Sequence, residues 1–414
     1  MVANAHNWTP TLRIVTNDGP FIKPGPGSTT AIKYANSKQV LDASGVNGVG
    51  QMIAIVQDQN AFGQGTGVGV FLGLCSGTLI NPRTVITAAH CVYDKPAYYY
   101  GSATGAGGGI TGQSGLATSK GIPLSFGFSP TNRCTNTNGC ASGTGPYETW
   151  RDSAYQSQAG QFIYNANQVW YARESQPVDL GGGGEFGNKD IALITLDTHV
   201  ENVPTWTLLF SPLTGSTHVT ITGYGAAGVG TPGIGDAAGI DYRRRVAENM
   251  IDALMSSADW THTPAIAGPD FHDFDNEAHS LYWFDFDDPR YNPKKLPANS
   301  AFLPANADAD PATVNWDFNG LGGTALPREG TTAGGDSGGP LIVDQTFKNP
   351  DGSFKPVVAG VLTGSWSFDG GIATYGEFSV YPPLFLYWQD IVANNPYKYV
   401  SAKAGDGNWF DPTH

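Results

Sequence analysis

Charge is scarce in this chain, and basic charge is scarcer still. Only 14% of its 414 residues are Asp, Glu, Lys or Arg, and 22 Lys and Arg stand against 36 Asp and Glu, a formal net charge of -14. A broad nucleic-acid or anionic-membrane surface needs a basic footprint, so no nucleic-acid partner is expected. The one basic cluster, Arg243-Arg244-Arg245, is too short for such a patch and reads as a strand start or an exposed edge. Long apolar runs are missing as well: no stretch approaches the roughly 18 residues a spanning helix needs, so no membrane insertion is expected. The opening "MVANAHNWTP" lacks the apolar core of a signal peptide, and Met1 reads as a start placed after a removed leader. Methionine is rare, at 4, against 55 Gly and 28 Pro, a balance that favours short strands and many turns over helices. Cysteine is sparse too, with four residues in two close pairs, Cys75 with Cys91 and Cys134 with Cys140. An even count in local pairs fits two disulfides and an oxidising compartment. A metal centre needs CxxC-type spacing with further ligands nearby, which neither pair has, so no metal or other cofactor is expected.

What is present is apolar and patterned. The chain is 40% hydrophobic and 12% aromatic, enough for a large core. From "MIAIVQ" (52–57) onward, short apolar runs alternate with turns: "GVFLGLCSGTLI", "TVITAAHCV", "DIALITL", "HVTITGYG", "PLIV", "VVAGVLTG". Period-two alternation and frequent β-branched residues predict half-buried antiparallel strands in an all-β sandwich or barrel. Residues 1–48 read as an N-terminal extension with one strand at "TLRIVT", and 396–414 as a C-terminal tail. Two stretches interrupt the strands: 100–187, rich in Gly, Ser, Thr and Asn, and 256–330, which mixes aromatics with acids. In "WFDFDD" the alternation sends Phe284 and Phe286 inward and Asp285 and Asp287 to water. The nearby Asp270, Asp273, Asp275 and Glu277 lack the glycine and spacing of a calcium loop. Helical spacing appears twice: in "VAENMIDALM", with Val246, Met250, Ile251, Leu254 and Met255 on one face, and in "LFLYWQDIVANNP" before Pro396.

The candidate chemistry starts at Gly335-Asp336-Ser337-Gly338-Gly339. This string fits G-x-S-x-G, the nucleophile elbow of α/β-hydrolases, but that fold needs its Asp and His after the serine. Of the eight histidines only His414 follows Ser337, and no strand–helix alternation surrounds it. The opposite order is available. His90 lies in "TVITAAHC", Asp190 opens "DIALITL", and Ser337 comes last. Serine needs a base to take its proton, histidine titrates near neutral pH, and a buried carboxylate fixes the imidazole tautomer. Asp152, Asp179 and Asp197 compete for the acid's role, and the apolar setting of Asp190 favours it. The N–H groups of Gly335 and Ser337 suit an oxyanion hole.

"TAAHC", "DIAL" and "GDSGGP", in that order, resemble the signatures of the trypsin/chymotrypsin family of serine proteases. Either longer motif arises by chance in on the order of one chain in 10⁴. The resemblance implies a chymotrypsin-like double six-stranded antiparallel β-barrel with long loop insertions and a short C-terminal helix. The protease domain would span 49–395, with barrels at about 49–205 and 206–395. It implies a Cys75–Cys91 disulfide closing the histidine loop. It also implies a primary pocket with Thr331 at its base and Gly364, Ser365 and Gly376 in its walls, with Thr363 supporting Asp190. None of these is acidic, so the pocket reads as neutral.

The spacings depart from that family: 100 residues separate His90 from Asp190 and 147 separate Asp190 from Ser337, against about 45 and about 93 in the template. The two interrupting stretches hold the excess. In trypsin-like zymogens the residue matching Asp336 pairs with a freshly cut N-terminus; the nearest echo here is Arg13-Ile14-Val15, read as plain strand. The long loops, "NGLGGTALPREGTTAGGDSGGPLIV" and "AGDGNWFDPTH" also resemble secreted bacterial autotransporter proteases, which would make 396–414 the start of a β-solenoid stalk. The expectation is a monomeric, secreted or cell-surface serine endopeptidase acting on protein or peptide substrates. The rival readings are a protease-fold adhesion module without turnover and an esterase using the same triad.

Overall fold

The structure is a computed structural model, and it describes residues 15–16, 42, 44–57, 70–92, 100–101, 122–132, 162–171, 189–228, 230, 242–256, 270–271, 280–287, 321, 324–366 and 373–396. A two-residue strand β1 (Val15–Thr16) precedes the main body. Then come β2 (Val49–Gln57), β3 (Val70–Asn81), β4 (Thr84–Thr87), β5 (Tyr100–Gly101), β6 (Ile122–Gly127), β7 (Ile163–Tyr171) and β8 (Ala192–Leu196). The second half holds β9 (Thr217–Gly223), β10 (Arg245–Ile251), β11 (Ala253–Ser256), β12 (Asp270–Phe271), β13 (Ser280–Asp285) and β14 (Gly330–Thr331). It ends with β15 (Pro340–Val343), β16 (Val357–Val361), β17 (Gly364–Trp366), β18 (Phe378–Tyr381) and a six-residue helix α1 (Trp388–Ala393).

Each half closes on itself. In the first, β2, β3, β4, β8, β7 and β6 pair in turn, all antiparallel, and β6 returns to β2 from Gln51↔Gly127 to Ala54↔Leu124. In the second, two strands bend and serve two neighbours each. β10 pairs with β9 and its continuation β11 with β13; β16 pairs with β15 and its continuation β17 with β18. With β15 on β9 and β13 on β18, the ring is complete. The fold is all-β, a double six-stranded antiparallel barrel, as the resemblance implied.

Strand alternation sorts side chains between three cores. Val85, Ala192, Ile194 and Leu196 fill the first barrel with Met52, Leu79, Phe126 and Val169. Leu341, Val343, Val357 and Ala359 fill the second with Val219, Ile221, Leu254 and Phe284. The residues between them on the same strands, Ile86, Leu193, Ile342 and Val358, meet in a third core between the barrels, joined by Tyr387 and Ile391 from the C-terminal helix region. Period two therefore gives each of these strands a face for its own barrel and a face for the other. Each buried Val, Leu, Ile, Met or Phe among them contributes roughly 1.5–3 kcal/mol.

Three sequence expectations need correction. "VAENMIDALM" forms the bent pair β10 and β11, not a helix; β10 pairs with β9 over its full length, and this ladder outweighs local periodicity. The run crosses from β10 into β11 at Asp252, and that corner spaces its apolar residues as a helix would. Asp285 and Asp287 are buried, not water-facing. The Asp285 carboxylate takes a backbone partner in place of solvent, Oδ2 accepting the Leu321 N–H at 3.1 Å; at Asp287 it is the main-chain N–H that is bonded, donating to Glu329 Oε1 at 2.6 Å. Arg245 does open a strand, but the arginine cluster is no exposed edge, since Arg244 and Arg245 are buried. Arg244 Nε meets Asp42 Oδ2 at 2.5 Å, which ties the segment ahead of β2 to the second barrel. The expected C-terminal helix is present as α1.

Candidate active site

The proposed base sits where β4 leaves its barrel. Thr87 donates its hydroxyl to the Ser76 carbonyl at 2.7 Å, and the buried Ala88 and Ala89 start a single 3-10 turn, Ala89–Cys91, that carries His90 into the cleft. The Cys75–Cys91 disulfide fastens that turn to β3. Asp190 lies two residues ahead of β8, and its carboxylate is almost wholly enclosed. His90 Nδ1 lies 2.7 Å from Asp190 Oδ2, and the His90 N–H donates to Oδ1 at 2.7 Å. The Thr363 hydroxyl also donates to Oδ2, from the second barrel. The His90 side chain keeps 30% of its surface exposed against 6% for Asp190, so the imidazole alone of the two can meet a ligand. Asp197 lies beyond the far end of β8, and Asp152 and Asp179 lie outside the described residues.

Ser337 rides on two successive tight turns, closed by Asp336 N–H to Ala333 carbonyl at 2.9 Å and Gly339 N–H to Asp336 carbonyl at 2.7 Å. The loop is pinned to both barrels. The Ser76 N–H donates to the Ser337 carbonyl at 2.7 Å, and the Gly338 N–H donates to the Leu362 carbonyl at 2.8 Å. The Ser76 hydroxyl adds a bond to the Gly335 carbonyl at 3.1 Å. One sulfur, Cys91 Sγ, lies 3.9 Å from His90 Nε2 and 3.8 Å from the Ser337 carbonyl oxygen, so the Nε2 edge of the imidazole and the serine backbone share a neighbour. Among the described residues, neither the Gly335 nor the Ser337 N–H has an internal acceptor.

Asp336 points away from the cleft. Its Oδ1 accepts the Gly225 N–H at 2.7 Å and its Oδ2 the Ala333 N–H at 3.0 Å. A Cβ at Gly225 would lie 2.5 Å from Asp336 Cγ, so residue 225 must be glycine for the carboxyl to come this close. Burial pushes the Asp336 carboxyl up to about 7, against the two amides and the Arg245 charge, which pull it down.

At the expected pocket base, Thr331 is buried and its hydroxyl lies 3.0 Å from Ser379 Oγ; the neighbouring Thr332 hydroxyl is 2.8 Å from the same atom. β1 pairs antiparallel with β14 at this point, Val15 opposite Thr331. Gly364 and Gly376 are half-buried, Ser365 is exposed, and Gly376 has φ 82. Sequence reasoning missed Ser76, Ser379 and Gly225. Ser76 could have been found from its place beside Cys75; Ser379 and Gly225 carry no local signal. Cys134 and Cys140 lie outside the described residues, as do Asp273, Asp275 and Glu277. Cys75, His90 and Cys91 place three potential metal-ligand atoms within 4.8 Å of one another, but the two sulfurs are spent on each other.

A model of the trypsin family matches residues 57–120. That segment contains Cys75, His90 and Cys91, and together with the double barrel it supports a trypsin/chymotrypsin-like, serine-protease-type fold. No match is found among the curated proteins. Among solved structures, one described as HL collagenase is 13% identical, with 86% of this chain and 95% of that chain covered and a TM-score of 0.41; the architecture here rests on the strand pairing above.

Proposed function

We propose that this protein is a secreted or cell-surface serine endopeptidase that works through an acyl-enzyme on Ser337. The observation that carries the reading is the 2.7 Å contact of His90 Nδ1 with Asp190 Oδ2, which leaves Nε2 turned toward the sulfur that also touches Ser337. In this reading His90 Nε2 takes the Ser337 proton as Oγ attacks the scissile carbonyl carbon, and Asp190 stabilises the imidazolium. The Gly335 and Ser337 N–H groups receive the oxyanion, each worth roughly 3 kcal/mol in such a hole. Collapse of the tetrahedral species expels the amine, which takes the proton from His90, and water then releases the acyl group by the same steps in reverse.

β17 is an edge strand of its sheet, which suits antiparallel addition of an extended peptide along 363–365. The pocket base of Thr331 and Ser379 is neutral and already hydrogen-bonded, which supports selection of an apolar or medium-sized side chain over Lys or Arg. The Cys75–Cys91 disulfide supports an oxidising, extracytoplasmic location, and the autotransporter-like motifs support a bacterial cell surface.

A fluorophosphonate probe tests the chemistry. Labelling is expected on Ser337 in the native protein and not in Ser337→Ala, with peptide cleavage lost in parallel. A folded native protein that takes no label would favour the adhesion module instead, and label with ester but no peptide turnover would favour the esterase.

A further inference from the structure

Asp190 belongs to the first barrel by sequence, yet it is not inside a strand. It sits in the two residues ahead of β8, and its neighbour Lys189 has φ 50. Lysine has no intrinsic reason to adopt this left-handed conformation, which is sparsely populated outside Gly, Asn and Asp. The local chain folds tightly here, with the Ile191 N–H bonded to the Lys189 carbonyl at 2.7 Å. The Lys189 N–H, on the other side, donates to the Tyr387 hydroxyl at 3.3 Å.

Tyr387 stands immediately ahead of α1, at the far end of the chain from Asp190. Its ring is buried in the core between the barrels with Ile191, Leu384 and Ile391, so the hydroxyl is delivered by a rigid body. Burial raises the hydroxyl's proton affinity, the Lys189 amide lowers it, and the nearby Asp190 charge raises it again; it stays a neutral phenol. The second barrel thus grips the acid at two points. Thr363 holds the carboxylate itself, and Tyr387 holds the amide of the residue before it.

We infer that Tyr387 is a positioning residue for Asp190, fixing Lys189 in its left-handed conformation so that both carboxylate oxygens face His90. The inference rests on the protease reading above. The lever is short: a turn about the Lys189 backbone swings the Asp190 Cα, and the bonds to the His90 N–H and Nδ1 must lengthen together. A neutral hydrogen bond of this length matters by about fivefold in rate when its loss is felt at the acid.

The test uses the whole chain, with rates normalised to fluorophosphonate-titrated sites. Tyr387→Phe keeps the ring and removes the acceptor. Its kcat is expected to fall about fivefold with KM unchanged. The acid limb of its kcat/KM profile is expected to move to lower pH, since a displaced Asp190 stabilises the imidazolium less. Lys189→Asn tolerates the left-handed conformation unaided, so adding it to Tyr387→Phe is expected to return kcat toward that of Lys189→Asn alone. An unmoved pH profile in Tyr387→Phe overturns the inference. So does a loss that vanishes on site titration, or one that Lys189→Asn does not relieve. A native enzyme that neither labels nor cleaves overturns the protease reading itself, and the inference with it.

Discussion

Gly338 shows how tightly the backbone behind Ser337 is specified. It has φ 81, and a Cβ there would sit 2.0 Å from Thr87 Oγ1 and 2.3 Å from the Ser76 carbonyl oxygen. Those two atoms are already bonded to each other, so neither can retreat without breaking the seat of the His90 turn. Gly338→Ala is expected to cost about 2–4 kcal/mol in denaturant unfolding, from left-handed strain plus the clash. Its fluorophosphonate labelling is expected to slow at least ~100-fold, because a misplacement of about 1 Å is enough for that. Much of the site was legible at this scale. The motifs set His90, Asp190 and Ser337 in the order of the family they resemble, and the left-handed Gly335 and Gly338 of "GDSGGP" are forced by the turn. Gly225 and Ser379 were not legible. Each acts through a partner scores of residues away, Ser379 on Thr331 and Gly225 on Asp336, and nothing local marks them.

At the scale of elements, sequence patterns worked where an apolar run is one strand and failed where it spans two. "DIALITL" and "PLIV" alternate between a barrel interior and the core between barrels, and both were read correctly. β10 and β11 bury both faces and bend at Asp252, whose N–H bonds the Trp283 carbonyl at 3.1 Å; that corner made a helical spacing out of two strands. β1 raises a question of processing. It pairs with β14 in the uncut chain, and Asp336 already accepts two amide hydrogens. Activity is therefore expected without a cut between Arg13 and Ile14. Terminal sequencing of fully active enzyme checks this; a uniform start at Ile14, with loss of activity when Arg13 is changed to Gln, is the contrary result.

At the scale of the whole molecule, pH acts through a histidine outside the cleft. His218 Nδ1 lies 2.8 Å from Asp344 Oδ1 and Nε2 lies 3.4 Å from Glu248 Oε2, joining the start of β9 to the middle of β10 and the end of β15. Burial pulls its basicity down, but the bonds to Asp344 and then Glu248 outweigh this and lift it to about 9. A folded-state value raised above 6.5 means stability that is full below about pH 6.5 and lost as pH rises through about 9. Solvent screening of the half-buried ring keeps the loss to about 1–2 kcal/mol. Asp336 behaves with the same sign in a lower window: its contribution is full below about pH 4 and is lost as pH rises through about 7. Denaturant unfolding from pH 6 to 10 is expected to show a falling stability whose limb above pH 6.5 flattens in His218→Gln. An unchanged slope in that variant would place the alkaline weakness elsewhere.

The anchoring of the Ser337 loop to Ser76 on one barrel and Leu362 on the other has a consequence for when cutting power appears. Neither half of the molecule owns a finished cleft. A nascent chain with one barrel formed holds a histidine and an aspartate without a shaped turn, or a turn without its neighbours. On the proposed reading, hydrolysis arrives in a single step at the end of assembly, and an enzyme still being made is harmless to the cell that makes it.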